Sequence, residues 1–220
     1  MDIVRLFDGV YSLDGKLATL SLAGGVKVYG EEHRSYQGKE YRLWNPYRSK
    51  LGAAIMNGMR NENIREGDSV LYLGAATGTT SSHVSDIVGK KGIVYCVELS
   101  ERNMRDLIKV CENRANMLPI LGDARDTDAY SDMVDMCDII YQDVSSPEQA
   151  KILRDNARFL KRGGYAYFAI KSQSIDIKRS PEHTFKRALE QLDEVFEIVE
   201  EVRIEPYHKL HLFVVLRKRG

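Results

Sequence analysis

The chain is poor in the features that mark a membrane, secreted or metal-binding protein. Its first eleven residues carry Asp2, Arg5 and Asp8 and no uninterrupted apolar run, which argues against a secretory leader and against a membrane span. A soluble protein inside the cell is the expectation. Three cysteines occur, Cys96, Cys111 and Cys137, odd in number and without a C-x-x-C pair, so buried thiols are expected rather than a disulfide framework or a structural zinc site. His33, His83, His183 and His208 have no ligand spacing, so no metal is expected. No internal repeat or low-complexity tract is present.

An excess of one charge is missing too. Lys+Arg and Asp+Glu each total 32, for a formal net charge of zero. A protein that grips nucleic acid unaided usually carries a strong basic excess, because neutralising phosphates and releasing their counterions supplies most of the non-specific affinity. Basic residues here gather only locally: Arg42, Arg48 and Lys50; Lys178 and Arg179 with Lys186 and Arg187; and Arg217, Lys218 and Arg219. Ordinary solvated surface accounts for any one of these equally well.

What is present is a chain of 220 residues, 43% hydrophobic, enough to bury a good core in one domain with a small appendage. Residues 1 to 42 mix β-branched and aromatic stretches with glycines at 9, 15, 24, 25, 30 and 38, the pattern of a small antiparallel β unit with tight turns. Asn45 as cap and Pro46 at the first helical position then predict a helix to about Asn57. From Ser69 the chain alternates strand and helix, so residues 43 to 220 are expected to form the second domain, a mainly parallel sheet covered on both faces. The expected strands are Ser69–Leu73, Ile93–Glu98, Leu118–Leu121, Ile139–Asp143 and Tyr165–Ile170. The expected helices are Thr80–Val88, Glu101–Asn113, Pro147–Phe159 and Pro181–Gln191. Phe196–Arg203 and Leu210–Leu216 have no helix between them and should pair antiparallel through the turn near Pro206. Five parallel strands closed by such a hairpin resemble the seven-stranded, Rossmann-like α/β fold of S-adenosylmethionine-dependent methyltransferases.

The first parallel strand runs into Gly74-Ala75-Ala76-Thr77-Gly78-Thr79-Thr80, where glycines permit close backbone approach and the next helix offers free N–H groups. A dinucleotide fingerprint needs glycines where Ala76 and Thr79 stand, and a phosphate loop needs a G-K-[ST] that is absent. Glu98 ends the second strand about twenty residues past Gly78, where a carboxylate accepts hydrogen bonds from ribose hydroxyls. Asp123 follows the third strand, where methyltransferases usually contact adenine. A simple turn with helix caps is the alternative reading of the loop.

A chemical cluster is also legible. Asp143 lies at the carboxyl end of the fourth strand and Lys171 at that of the fifth, so both should face one opening. A lysine that terminates the apolar run Tyr167-Phe168-Ala169-Ile170 is costly to hold there without a role. Lys50 on the preceding helix and His211 on the last strand could complete the group, although Lys50 also reads as a surface lysine and His211 as a satisfied sheet histidine. A neutral amine beside a hydroxyl can remove its proton, and desolvation with a second cation favours the neutral form of a lysine.

These residues lie within longer phrases. They are Glu40-Tyr41-Arg42-Leu43-Trp44-Asn45-Pro46-Tyr47-Arg48-Ser49-Lys50, the loop Tyr72 to Thr80 with Ser82-His83-Val84-Ser85-Asp86-Ile87-Val88-Gly89, and Val97-Glu98. Arg105-Asp106-Leu107-Ile108, Asp123-Ala124-Arg125, Gln142-Asp143-Val144, Ile170-Lys171 with Ile175-Asp176, and Glu205-Pro206-Tyr207 before His211 continue the series. Over nearly its whole length the chain resembles the fibrillarin family. The resemblance implies 2′-O-methylation of ribosomal RNA, and in archaea also transfer RNA, within a box C/D guide ribonucleoprotein. It implies as partners a Nop-domain scaffold protein, a kink-turn-binding ribosomal protein, the guide RNA and the target RNA, with no membrane.

By that resemblance Lys50, Asp143, Lys171 and His211 match the catalytic set. In that scheme Lys171 serves as base or orienting group, Asp143 holds it, Lys50 favours its neutral form and binds on the phosphate side, and His211 fixes the Asp143–Lys171 geometry. The S-adenosylmethionine contacts would be Gly74, Ala75, Gly78, Thr79, Thr80, Glu98, Leu99, Asp123, Ala124, Asp143, Val144, Ser145 and Ser146. Ser146 stands where the family often has glutamine, and His208-Lys209-Leu210 is less acidic than the family's form. The absence of a glycine- and arginine-rich tail resembles archaeal members, for which a cytoplasmic location is expected. The charge balance then implies that RNA is presented by the partners. A nicotinamide oxidoreductase and a non-catalytic assembly subunit are the competing readings.

Overall fold

The computed structural model describes residues 2–220. The amino-terminal unit is a five-stranded antiparallel sheet made of β1 (Ile3–Phe7), β2 (Val10–Leu13), β3 (Lys16–Leu20), β4 (His33–Tyr36) and β5 (Lys39–Leu43), in the order β1-β2-β3-β5-β4. Its strands are short and its turns use left-handed residues such as Asp14-Gly15 and Gln37-Gly38, which let two-residue hairpins follow the twist of the sheet.

The larger sheet has seven strands: β6 (Ser69–Leu73), β7 (Ile93–Glu98), β8 (Met117–Leu121), β9 (Cys137–Gln142), β10 (Leu160–Lys171), β11 (Phe196–Arg203) and β12 (His211–Lys218). Their order is β11-β12-β10-β9-β6-β7-β8, with β6 to β10 parallel and β12 antiparallel to both of its neighbours. Central strands such as Val70–Leu73 and Ala166–Ile170 are buried throughout, as a sheet covered on both faces requires. The covering helices include α1 (Lys50–Met56), α2 (Thr79–Val88), α3 (Glu101–Cys111), α4 (Gln149–Asn156), the one-turn α5 (Ser172–Ile175) and α6 (Pro181–Glu190). The chain departs from β6 to β7 and β8 on one side, then returns to β9 and β10 on the other. That reversal opens a crevice beyond the carboxyl ends of the strands.

The seven-stranded architecture matches the expectation, with departures that have local causes. The helix expected from Asn45 to Asn57 is interrupted. Asn45 Oδ1 accepts from Tyr47 N at 2.9 Å and caps only a 3-10 turn, Pro46–Arg48, after which Ser49 is extended and caps α1 by accepting from Gly52 N at 3.2 Å. The second cap makes Lys50 the first residue of a helix. The helix expected from Pro147 begins at Gln149 and gives way to a 3-10 turn at Ala157–Phe159. β10 starts five residues early because Gly163 and Gly164 carry it through a register shift against β9, and a side chain at Gly164 would meet Asp138 O at 2.8 Å.

The two sheets are not independent bodies. Val10, Leu17 and Trp44 share one apolar core with Val70, Val84, Ile87 and Tyr141. Arg42 on β5 is fully buried and pairs with Asp86 on α2, so the small sheet is locked to the helix that follows the Gly74 loop. Cys96, Cys111 and Cys137 are free, two buried and one half-buried. Among the described residues no helix is long and apolar enough to cross a membrane, and no group of three or more His, Cys, Asp and Glu could hold a metal ion.

Candidate active site

Parallel strands end in register, so the residues at their carboxyl ends share one edge. Gly74 follows β6, Glu98 ends β7, Asp123 follows β8, Asp143 follows β9 and Lys171 ends β10. β12 runs the other way, and its first residue, His211, pairs with Lys171 across the same edge. Along this edge lies a cleft of about 480 Å³, within the range of small-molecule sites.

At one end of the cleft three charged side chains converge. Lys50 Nζ lies 2.8 Å from Asp143 Oδ2, and Lys171 Nζ lies 2.8 Å from Asp143 Oδ1. Lys171 Nζ aims its hydrogen bonds at the Asp143 carbonyl and Ser145 Oγ, both at 3.0 Å. Each of the three charged side chains is about 15% exposed. Burial works against the charge on Asp143, but the ammoniums of Lys50 and Lys171 outweigh it and hold the carboxyl below its ordinary range. One carboxylate thus carries two cations, and the group keeps a surplus positive charge on the rim of the cleft.

The backbone around Lys171 is clamped by Gln149, a residue the sequence reading did not single out. Lys171 N–H donates to Gln149 Oε1 at 3.0 Å, and Gln149 Nε2 donates to Lys171 O at 3.1 Å. Its only signal in the sequence was a polar residue at a helix start that turns out to be wholly buried.

His211 does not touch Asp143 as expected. Its Nδ1–H donates to Lys209 O at 2.6 Å, leaving Nε2 as the lone-pair nitrogen of the neutral ring. Burial and the nearby Lys50 charge lower its pKa, so the neutral form prevails at pH 7. His208 is shifted in the same direction for the same two reasons, and its Nε2–H donates to Pro46 O at 2.9 Å, bracing the turn before Lys50.

At the other end Glu98 is held by the loop it faces. Its Oε2 accepts from Ala76 N at 2.8 Å, while Oε1 accepts from Ser100 N at 2.9 Å and Asn103 Nδ2 at 3.2 Å. Asn103 and Ser100 were missed, although Ser100 caps α3 by accepting from Asn103 N, a spacing readable in the sequence. Asp123 is paired with Arg125, which holds its carboxyl below the ordinary range and neutralises the cation at this end.

Of the expected cofactor contacts, Gly74, Glu98, Leu99, Asp123, Ala124, Asp143, Val144, Ser145 and Ser146 line the cleft. Ala75, Gly78, Thr79 and Thr80 do not. Thr80 is buried and its Oγ1 donates to Ser49 Oγ at 3.0 Å, which ties the start of α2 to the cap of α1. Gly78 is left-handed and packed against Leu107 and Val110. Gly74 is required by its neighbour strand: a Cβ there would sit 2.8 Å from Asp143 O. Gly78 therefore fits protein to protein, while Gly74 does so and also borders the cleft.

Comparison with known proteins agrees with this architecture. A family model described as fibrillarin matches residues 2–220. The fibrillarin-like rRNA/tRNA 2′-O-methyltransferase of Pyrococcus furiosus is 52% identical over 218 residues, 96% of each chain. Aeropyrum pernix fibrillarin, solved in complex with natively bound S-adenosyl-L-methionine, superposes with a TM-score of 0.91 at 44% identity over 98% of both chains. A fibrillarin solved in complex with Nop5p superposes with a TM-score of 0.90 at 40% identity, over 99% of this chain and 100% of the other. With half of its residues shared along nearly its full length and the same fold throughout, the chain belongs to the fibrillarin family.

Proposed function

We propose that this protein transfers the methyl group of S-adenosylmethionine to ribose 2′-hydroxyls of ribosomal and transfer RNA, as the catalytic subunit of a box C/D guide ribonucleoprotein. The observation that carries this reading is the Lys50–Asp143–Lys171 cluster at the rim of the cleft, with both ammoniums 2.8 Å from one carboxylate.

The donor set suits an adenosyl sulfonium better than a phosphate-bearing cofactor. The cleft offers carboxylates at Glu98, Asp123 and Asp143, and the single arginine at the Asp123 end is already paired. Glu98 and Asp123 can accept from ribose hydroxyls and an adenine amino group, and the one arginine lining that end is spent on Asp123 rather than free for a pyrophosphate. Glu98 and Asp123 would hold the adenosine half, and Asp143 to Ser146 the half that carries the methyl.

When bound, S-adenosylmethionine supplies a methyl carbon already activated for displacement, so the protein has to align the reactants and accept one proton. Asp143 keeps both lysines within reach of the hydroxyl. Lys171 and Lys50, both paired with Asp143, orient the 2′-hydroxyl in line with the methyl, and the Asp143 carboxylate between them is the group placed to accept its proton. Gln149 fixes Lys171 from behind, and Ser145 orients the amine. His211, paired with Lys171 across the strand edge, stays neutral beside the cluster.

The scaffold partner is a Nop-domain protein, a reading supported by the Nop5p complex of a relative. A kink-turn-binding protein and guide RNA complete the particle, in the cytoplasm of an archaeal-type cell. Reconstitution with labelled cofactor tests the reading, with cofactor binding measured separately: Lys171→Ala is expected to lose on the order of 10²- to 10⁴-fold in methyl transfer while still binding cofactor, and Asp143→Ala to lose at least as much with weaker cofactor binding. Near-normal rates in either variant would overturn it.

A further inference from the structure

The three basic clusters of the sequence meet different fates. Arg42 is sealed inside, paired with Glu31 and Asp86. Its neighbours are also committed, Arg48 over the Tyr29 ring and Lys50 to Asp143. At the carboxyl terminus, Lys218 Nζ donates to the carbonyls of Ala157 and Leu160 at 2.7 and 2.6 Å, Arg219 donates to those of Asp193 and Phe196, and Arg217 lies 3.7 Å from Glu197. These cations close the ends of local structure. The remaining cluster, around α6, is not used in this way. Among the described residues no carboxylate pairs with Lys178, Arg179 or Arg187, and Lys186 reaches Glu190 only at 3.9 Å.

Arg179, His183 and Arg187 border a hollow of about 190 Å³, with Thr184 and Gln191 as further hydrogen-bonding groups. The one acid in its wall, Asp176, already accepts from Lys178 N at 2.8 Å. From residue 171 to 187 the chain holds five Lys and Arg against Asp176 and Glu182, a local excess in a molecule whose total charge is zero. Beside the hollow Ile177 is 80% exposed. The hollow and the catalytic cleft share Pro147, and its wall begins where α5, four residues or about 6 Å of helix, ends after Lys171.

We propose that this hollow, on the β10 side of the cleft, binds the phosphodiester backbone of the substrate RNA strand next to the nucleotide being methylated. The inference rests on the methyltransferase reading, since a ribose presented to Lys171 carries a phosphate on either side, and anions therefore have to lie within one nucleotide of the cluster. Two unpaired guanidiniums on a concave surface suit the fork geometry of phosphate oxygens, and the apolar tip of Ile177 gives a base or sugar something to rest on. It also reconciles a neutral chain with an RNA substrate: partners hold the RNA at large, and this one patch sets its register at the reaction centre.

The test is the Arg179→Ala/Arg187→Ala double variant of the full chain in the reconstituted particle. Both side chains are exposed, so thermal melting should match the parent. Expected is a rise in KM for target RNA of about tenfold or more and a fall of about two in the slope of log(kcat/KM) against log salt, with cofactor binding unchanged. Lys109→Ala, on the exposed face of α3, serves as control and should change neither. An unchanged RNA KM and salt slope would overturn the proposal, as would a loss of scaffold-protein binding in their place, which would make the patch a protein dock. Should the parent particle methylate no RNA at all, the methyltransferase reading falls first. Direct binding of target RNA to the full chain at low salt, parent against double variant, still reads the hollow.

Discussion

Two buried charge clusters in this molecule are built from similar parts and do opposite work. Between the small sheet and α2, Arg42 and Arg114 meet Glu31 and Asp86 at 2.6 to 2.7 Å, with all four side chains withdrawn from water. Two cations face two carboxylates, and Thr19, Ser82 and Leu22 N supply further hydrogen bonds. At the cleft, one carboxylate faces two ammoniums on a rim that solvent reaches. Balance and closure leave the first cluster nothing to exchange, so it fixes geometry. Surplus charge and access leave the second free to trade a proton.

The comparison breaks most visibly if the sealed cluster is opened. Asp86→Asn removes the counter-ion shared by Arg42 and Arg114 and should cost on the order of 3–5 kcal/mol, which for a chain of this length lowers Tm by roughly 10 °C. Calorimetry reads that, while methyl transfer at a temperature well below the transition should fall no more than about threefold. A collapse of activity at unchanged Tm would show that the two clusters are not separate in function.

Acid sharpens the contrast next. Burial opposes the charge on Glu31, but the Tyr29 N–H and the Arg42 guanidinium outweigh it and bring its pKa down to about 2 from 4.5. A depressed carboxyl stabilises the fold fully above its unfolded pKa, and that contribution is lost as pH falls from 4.5 towards 2. The difference of 4.5 − 2 units in a side chain 1% exposed corresponds to about 3 kcal/mol. Urea titrations of the parent and Glu31→Gln should therefore differ most at pH 6 and converge near pH 2. Parallel curves across that range would remove Glu31 from the sealed cluster's account.

The smallest expected effect lies on the bond that joins the two regions. Ser49 caps α1 and accepts from Thr80 on α2, so Ser49→Ala should cost about 1 kcal/mol in stability. Because the same cap presents Lys50, kcat should fall a few-fold with little change in KM for RNA. A raised KM for RNA at unchanged kcat would assign Ser49 to binding instead.

Much of this was legible in the chain because strand ends are punctuated locally. The apolar run Val70–Leu73 before Gly74, and Tyr167–Ile170 before Lys171, announce where a parallel strand delivers a residue to the crevice. What was not legible came from side chains that can turn two ways. Thr80 sits in a cofactor-type loop yet spends its hydroxyl on Ser49. His211 has the right register but spends Nδ1 on its own loop. Gln149, a polar residue at an unremarkable helix start, is the clamp on Lys171, and Arg42, read as part of a basic surface patch, is completely enclosed.

By itself the sequence determined the alternation of strand and helix, the loop after β6 and the acidic and basic residues at successive strand ends, since hydrophobic period and glycine placement act over a few residues at a time. Only the tertiary structure decided which charges meet. Lys50 and Asp143 are separated by 93 positions, and they touch because the sheet order sets β9 beside β6 and the Ser49 cap turns α1 towards that edge. Burial and pairing are properties of the assembled fold, so whether a given lysine is surface, strut or reagent is settled by its neighbours in space.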